Sequence, residues 1–268
     1  MINILQLELG PLDLHIASYV NSRKSDKTLA GVDINPNLKN KSQYEISGEL
    51  SKNVMIYSSV KDALDSLSTK PDVAIIITVS SLEKIIVQIK DVARFGIPVL
   101  STCEELSYPW DLQPELSGQL DSICKEDQIE STLRHVGLQE SVYFLANSAD
   151  FNLEDVTESL DSVIAEKDIN AKSMTIKKGK ASGVEQIANS YVNGKCKIKM
   201  HFKASICEKR SYDKITIKDK PSFSSLIEGG LNGDFATCAM TVNSIKPLLK
   251  APAGLHTLSD LTTHGFIS

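Results

Sequence analysis

MINILQLELGPLDLHIASYVNSRKSDKTLAGVDI, residues 1–34, decides the fold. Met1 to Leu9 is apolar almost throughout, as a strand buried on both faces of a parallel sheet reads. Leu12, Ile16, Tyr19 and Val20 then recur at helical spacing, and a second apolar run from Thr28 to Ile34 follows. Strand, helix and strand in so short a span form a βαβ unit, with parallel strands and a right-handed crossover.

The pattern continues outward. Residues 39–53 are polar and read as a surface excursion; Val54 to Tyr57 is a short strand and Val60 to Leu67 a helix. Asp72 to Val79 (DVAIIITV) is a strongly apolar strand, Leu82 to Phe95 an amphipathic helix closed by Gly96, and Ile97 to Leu100 the next strand. Strands alternating with helices predict an α/β fold, a Rossmann-like doubly wound parallel sheet. Leu112 to Lys125 reads as a further helix, but Glu126 to Thr132 is so polar that the expected next strand is missing. Helical spacing is predicted over 139–149 and again over 153–166, where Leu153, Val156, Leu160 and Val163/Ile164 share a face.

From about Lys172 the pattern turns to alternation. Asn193-Gly194 is a hairpin signal between Tyr191-Val192 and Lys195 to Ala204, and further strands are read at 213–218 and 223–227. This predicts a second, α+β domain with a mainly antiparallel sheet that has one wet face. An apolar helix from Phe235 to Leu249 is ended by Pro252 and Gly254. The expected domains are residues 1–130, residues 131–245, and a tail, 246–268, packing back on the first domain.

The 268 residues, 41% of them hydrophobic, can bury a sizeable core. A net charge of -5 from 29 basic and 34 acidic residues, interspersed along the chain, argues against nucleic-acid or membrane partners. With no apolar run of membrane length and no leader pattern, the expected location is cytoplasmic. Five cysteines without CxxC spacing suggest neither a disulfide framework nor a metal site, and Cys196, His201 and Cys207 are read as packing residues.

Two places carry chemistry. In the first turn, where a dinucleotide-binding unit has G-x-G-x-x-G, this chain has Glu8, Gly10 and Asp13. One unit charge about 5 Å from a phosphate costs roughly 3 kcal/mol at an effective dielectric near 20, so the two acids oppose a diphosphate unless Asp13 occupies the anion position itself. Asp33 stands where an acid contacts an adenosine ribose, and equally where an acid initiates the Ile34-Asn35-Pro36-Asn37 turn. The second place is Ser101-Thr102-Cys103-Glu104-Glu105-Leu106-Ser107-Tyr108-Pro109-Trp110, at the exit of a buried strand. Its paired acids beside Tyr108 and Trp110 suit proton transfer to a small cationic or carbonyl substrate; they suit the start of a helix equally. Thr78-Val79-Ser80-Ser81 either caps the following helix or touches a ligand.

STCEELSYPW (101–110), GDFATCAMTVNSIKPLLKAPAGLHTLSDL (233–261), Leu133 to Ser141 and IANSYVNGKCK (187–197) together resemble the NAD(P)-dependent 2,4-diaminopentanoate dehydrogenase and native amine dehydrogenase family, relatives of dihydrodipicolinate reductase. The resemblance implies reversible oxidative deamination of a small amine or amino acid, with a keto compound on the other side. It also implies a sheet that builds a homodimer or a complex with a homologous subunit. By the same resemblance Glu104, Glu105, Tyr108 and His135 are the catalytic candidates. Gly10, Pro11, Leu12, Asp33, Thr78, Ser80, Ser81 and Cys103 are the cofactor candidates, and no metal is expected. NAD or NADP is the implied cofactor, weakened or lost because Glu8 and Asp13 replace glycines and because a segment with the last Rossmann strand and an Asn-Pro-Gly loop is expected to be absent. The alternative is a degenerate non-redox homologue acting as a partner subunit, or as a cofactor-free binder or catalyst.

Overall fold

The computed structural model describes residues 1–77, 81–106, 109–127, 130–133, 138–171, 175–206 and 208–261. Their contacts divide the chain into two units: residues 1–137 with 234–268, and residues 138–233.

In the first unit β1 (Ile2–Leu7), α1 (Pro11–Asn21) and β2 (Asp26–Val32) form the opening crossover. The chain continues through α2 (Gln43–Ser47), β3 (Ile56–Tyr57), α3 (Val60–Ser66), β4 (Val73–Ile76), α4 (Leu82–Ala93) and β5 (Val99–Ser101). A 3-10 turn (Glu104–Leu106), α5 (Pro109–Leu112), α6 (Pro114–Glu126) and β6 (Glu130–Leu133) follow. The strands, all parallel, lie in the order β6-β5-β4-β1-β2-β3, the dinucleotide-fold order.

Period-two alternation distributes the strands' side chains between two cores. Leu5 and Leu7 of β1 with Ala74 and Ile76 of β4 face α3, α4 and α6, whereas Ile4, Val73 and Ile75 face α1 and a later helix, α8 (Gly233–Leu248). Burying each of these isoleucines contributes roughly 1.5–3 kcal/mol. Arg23, after α1, donates from Nη2 to Oδ1 of Asn243 in α8 at 2.6 Å, and Cys238, Val242 and Ile245 complete that core. Residues 234–245, which the sequence reading groups with the second domain, therefore pack within the first unit.

The strand expected to be missing is present. β6 pairs with β5 on one side and on the other with β14 (Gly254–His256), from the C-terminal segment. Its sequence, ESTL, gives no apolar signal because parallel pairing on both sides satisfies its backbone whatever its side chains are. Gly254 has φ +147, and a Cβ there would lie 3.1 Å from Oδ1 of Asp121 in α6, the atom that accepts from Leu255 N–H at 3.0 Å.

The second unit holds α7 (Leu138–Ser148), a three-stranded antiparallel sheet in the order β11 (Lys195–Ser205), β10 (Ala181–Val192), β7 (Asp155–Ile164), and two hairpins, β8 (Ile169–Asn170) with β9 (Thr175–Ile176) and β12 (Tyr212–Ile217) with β13 (Phe223–Glu228). The hairpin at Asn193-Gly194 is formed, with both residues at positive φ. The helix expected over 153–166 is instead β7. Val156, Leu160 and Val163 imitate a helical stripe, but the β10 register decides the conformation and places Val156 and Leu160 on one sheet face and Val163 on the other. Cys196 and His201 are exposed rather than packed, and Cys207 lies outside the described residues.

Candidate functional site

The carboxyl ends of β1 and β4 flank the point where strand order reverses, the crevice in which open α/β sheets bind ligands. Beyond β1, Glu8 adopts φ +66, a left-handed conformation that a glycine takes without strain. Its Oε1 accepts from Nε2 of Gln88 in α4 at 3.1 Å. Gly10 is the N-cap of α1 and Pro11 its first residue, with Leu12 in the same turn. Asp13 folds back so that Oδ2 accepts from the Gly10 N–H at 3.0 Å, and a Cβ on Gly10 would meet that oxygen at 3.2 Å. The carboxyl group thus covers the N-terminal turn of α1.

Asp13 is 3% exposed, and Oδ1 meets no hydrogen-bond partner among the described residues. Burial raises its pKa to about 8; the Gly10 N–H opposes the rise, while Glu8 and Asp33 add to it. Burial also raises the pKa of Glu8, against the bond from Gln88 and with the charge of Asp33. Near neutrality Asp13 is mostly protonated, so this end of α1 carries less negative charge than its sequence suggests. Asp33 accepts from Asn35 N–H at 2.8 Å, making the turn contact and contributing to the same acidic field.

One buried polar side chain fixes this loop. Gln6, in the middle of the apolar β1, donates from Nε2 to the Asp13 carbonyl at 2.6 Å and accepts from Nε2 of Gln43 at 3.2 Å. The sequence reading missed Gln6, although a glutamine inside an apolar strand was the available signal.

At the next strand end, Ser101 Oγ accepts from Cys103 N–H at 3.1 Å, and Cys103 is buried in the apolar core. Glu105 reaches across to the start of α4. Its Oε2 accepts from Leu82 N–H at 2.8 Å and from Nε2 of Gln113 at 2.6 Å. Ser81, the N-cap residue, makes no side-chain capping bond, and the Leu82 N–H is met by a carboxylate 23 residues beyond Leu82. Glu104 lies in the adjoining 3-10 turn. Thr78, Ser80, Tyr108 and His135 lie outside the described residues. Glu8, Gly10, Asp13 and Asp33 are brought to one edge, and Glu105 reaches Leu82, the residue after Ser81, at the start of α4. Cys103 belongs to the core. Among the described residues no group of three or more His, Cys, Asp or Glu is placed to hold a metal ion, and no helix is long and apolar enough to cross a membrane.

The 2,4-diaminopentanoate dehydrogenase C-terminal domain family model matches residues 121–267, more than half of the chain. The chain belongs to this family. A 2,4-diaminopentanoate dehydrogenase from Acetoanaerobium sticklandii is 23% identical, the match covering 71% of this chain and 73% of that relative. The fold is that of the amine dehydrogenase from Mycobacterium smegmatis, with a TM-score of 0.84 at 17% identity over 99% of this chain and 97% of that one. A mutant meso-dapdh with DAP from Clostridium tetani E88 matches at 0.50 and 10% identity, over 97% and 94% of the two chains. The Rossmann-like sheet with a second, mainly antiparallel domain is common ground with these dehydrogenase folds.

The residues present fit the dinucleotide that this fold implies at its ribose end and, conditionally, at its diphosphate. The switch-point crevice, Gly10 as N-cap and Asp33 after β2 fit its ribose and backbone contacts. The diphosphate end fits when Asp13 is protonated, because ionised Asp13 sets a full negative charge against the N-terminus of α1.

Proposed function

We propose that the chain is an NAD(P)-dependent oxidoreductase acting on a small amino compound. The observation that carries the reading is family membership together with the acidic turn that ends β5 beside the switch point. In the deamination direction the amine carbon loses a hydride and its nitrogen a proton, water adds to the imine, and ammonia leaves as the carbonyl product forms. NAD or NADP, when bound, supplies the hydride acceptor. In the Gly10, Pro11 and Leu12 turn the diphosphate would be held through the Leu12 backbone N–H, since proline has none and the Gly10 N–H is given to Asp13, with Asp33 on the ribose. By the family resemblance Glu104 would take the amine proton, with Tyr108 and His135 as the further catalytic candidates. Glu105 is a positioning residue, holding the Glu104 turn against α4.

A second reading is favoured by Glu8 and Asp13: a non-redox homologue, working as a partner subunit or a cofactor-free binder. In either reading the chain pairs with a second copy or a homologous subunit, and the expected location is cytoplasmic. Thermal-shift titration with the four nicotinamide cofactors separates the two readings. A rise in Tm that grows with cofactor concentration and weakens above about pH 8, as Asp13 ionises, supports the dehydrogenase. Absence of a shift at any pH from 6 to 9 at millimolar cofactor, a range of about three units spanning the Asp13 transition, rejects it. With binding established, Glu104→Gln is expected to lower kcat by about 100-fold or more while leaving cofactor affinity unchanged.

A further inference from the structure

The turn that ends β5 is tethered on several sides. Cys103 and Leu106 are sunk in the apolar core, and the Leu106 N–H donates to the Cys103 carbonyl at 3.3 Å. Between them Glu105 accepts at one oxygen, Oε2, from Leu82 N–H at 2.8 Å and from Nε2 of Gln113 at 2.6 Å. The second donor is out of the ordinary. Gln113 is the N-cap of α6, a position that favours a short side chain able to turn back on its own helix, yet its side chain makes no capping bond. It reaches eight residues back along the chain instead. Its backbone is fixed on both sides. The N–H donates to the Pro109 carbonyl of α5 at 2.8 Å, and the carbonyl accepts from N–H and Oγ of the fully buried Ser117, at 3.0 and 2.7 Å.

We propose that Gln113 is a positioning residue: its bond to Glu105 closes the segment from 105 to 113 and sets the 104–106 turn for proton transfer by Glu104. The inference rests on the reading above that Glu104 takes the amine proton, and adds the group that fixes its place. Core burial holds the two ends of the turn, at Cys103 and Leu106. Only the Glu105 bonds tie its middle to α4 and α6, and a donor anchored at two backbone points has little freedom to follow a turn that drifts. A purely structural bond would change stability alone; a positioning bond also changes kcat.

Gln113→Glu tests this without changing shape. It sets two carboxyl groups 2.6 Å apart, which can share one proton but resist ionising together, so one of them titrates above the ordinary carboxylate range. Acids at 83, 111 and 115, in α4, α5 and α6, add to that rise. Protonated, the new group donates to Glu105 as the amide does; ionised, it repels it. Trp110, the only tryptophan, lies in the closed segment and packs against the core with α6, so its emission reports the bond whether or not the protein turns over. Emission of Gln113→Glu is expected to match the wild type at low pH and to depart in one step as pH rises, a step the wild type lacks and that adding Glu105→Gln moves down to the ordinary range. Deamination of a panel of short alkyl amines and diamino acids should fall across the same step, kcat dropping about tenfold or more with cofactor affinity unchanged, and Gln113→Ala should show that loss at every pH. No emission step, or one that Glu105→Gln leaves in place, overturns the bond. A step across which kcat does not move overturns the positioning role. A wild type that deaminates nothing rejects the reading of Glu104, and the emission step still decides whether Gln113 holds the turn.

Discussion

The N-termini of α1 and α4 face the same crevice, and a carboxyl group covers each, yet the two groups are held differently. On α4, Glu105 arrives from another loop and its Oε2 receives two donors, Leu82 N–H and the Gln113 side chain. On α1, Asp13 comes from the helix itself, receives one backbone N–H and is enclosed until its pKa reaches about 8. A helix N-terminus favours an anion. The comparison teaches that a carboxyl group can cover a helix start with two donors from distant segments or with one from its own helix, and that for Asp13 a single donor does not offset the lost solvation.

The largest effect that would test the contrast concerns Asp13. Its folded pKa lies above the unfolded value of 3.8, so the favourable contribution is full below about pH 4 and is lost as pH rises through about 8. Asp13→Asn should remove a slope of up to about 1.4 kcal/mol per pH unit from that window and make the variant the more stable protein at pH 8. Parallel urea curves for both proteins across the window would show that Asp13 is ionised like any surface acid. Next comes Glu105→Ala, expected to destabilise by about 2–3 kcal/mol, because a helix start and a buried-side amide lose a charged acceptor together. Glu105→Gln should lose less than half of that; an equal loss would mean that charge, not acceptance, holds α4.

Gln6→Leu sharpens the α1 side alone. It removes a second donor from the Asp13 carbonyl and orphans the Gln43 amide N–H, so about 1–2 kcal/mol should be lost in chemical denaturation. No change would show that the loop is held without β1. The smallest expected effect is Glu8→Gly, where relief of the left-handed backbone and loss of the Gln88 bond nearly cancel, within about 1 kcal/mol. The same substitution should tighten dinucleotide binding measured by fluorescence, and an unchanged affinity would remove Glu8 from the diphosphate's surroundings.

Much of this was legible beforehand for a local reason. The apolar runs at Met1 to Leu9 and Asp72 to Val79 marked β1 and β4, and Asn193-Gly194 marked its hairpin, because burial and turn geometry impose those residue types directly. β6 and β7 were misread because their conformations come from neighbours distant in sequence: β14 and β5 for ESTL, β10 for DVTESLDSVI. At the site, the sequence identified acids near the phosphate cradle, but not that one of them would hold its proton.

By itself the sequence determined the strand and helix alternation, the absence of glycines around Gly10, and the acids at 104 and 105, since each is a matter of residue type at a fixed spacing. Tertiary structure alone decided which carboxyl group caps which helix and which side chains share a sheet face. Those depend on the donors and strands that distant segments bring within about 3–5 Å, distances at which hydrogen bonds and strand pairing act and which spacing along a chain does not specify.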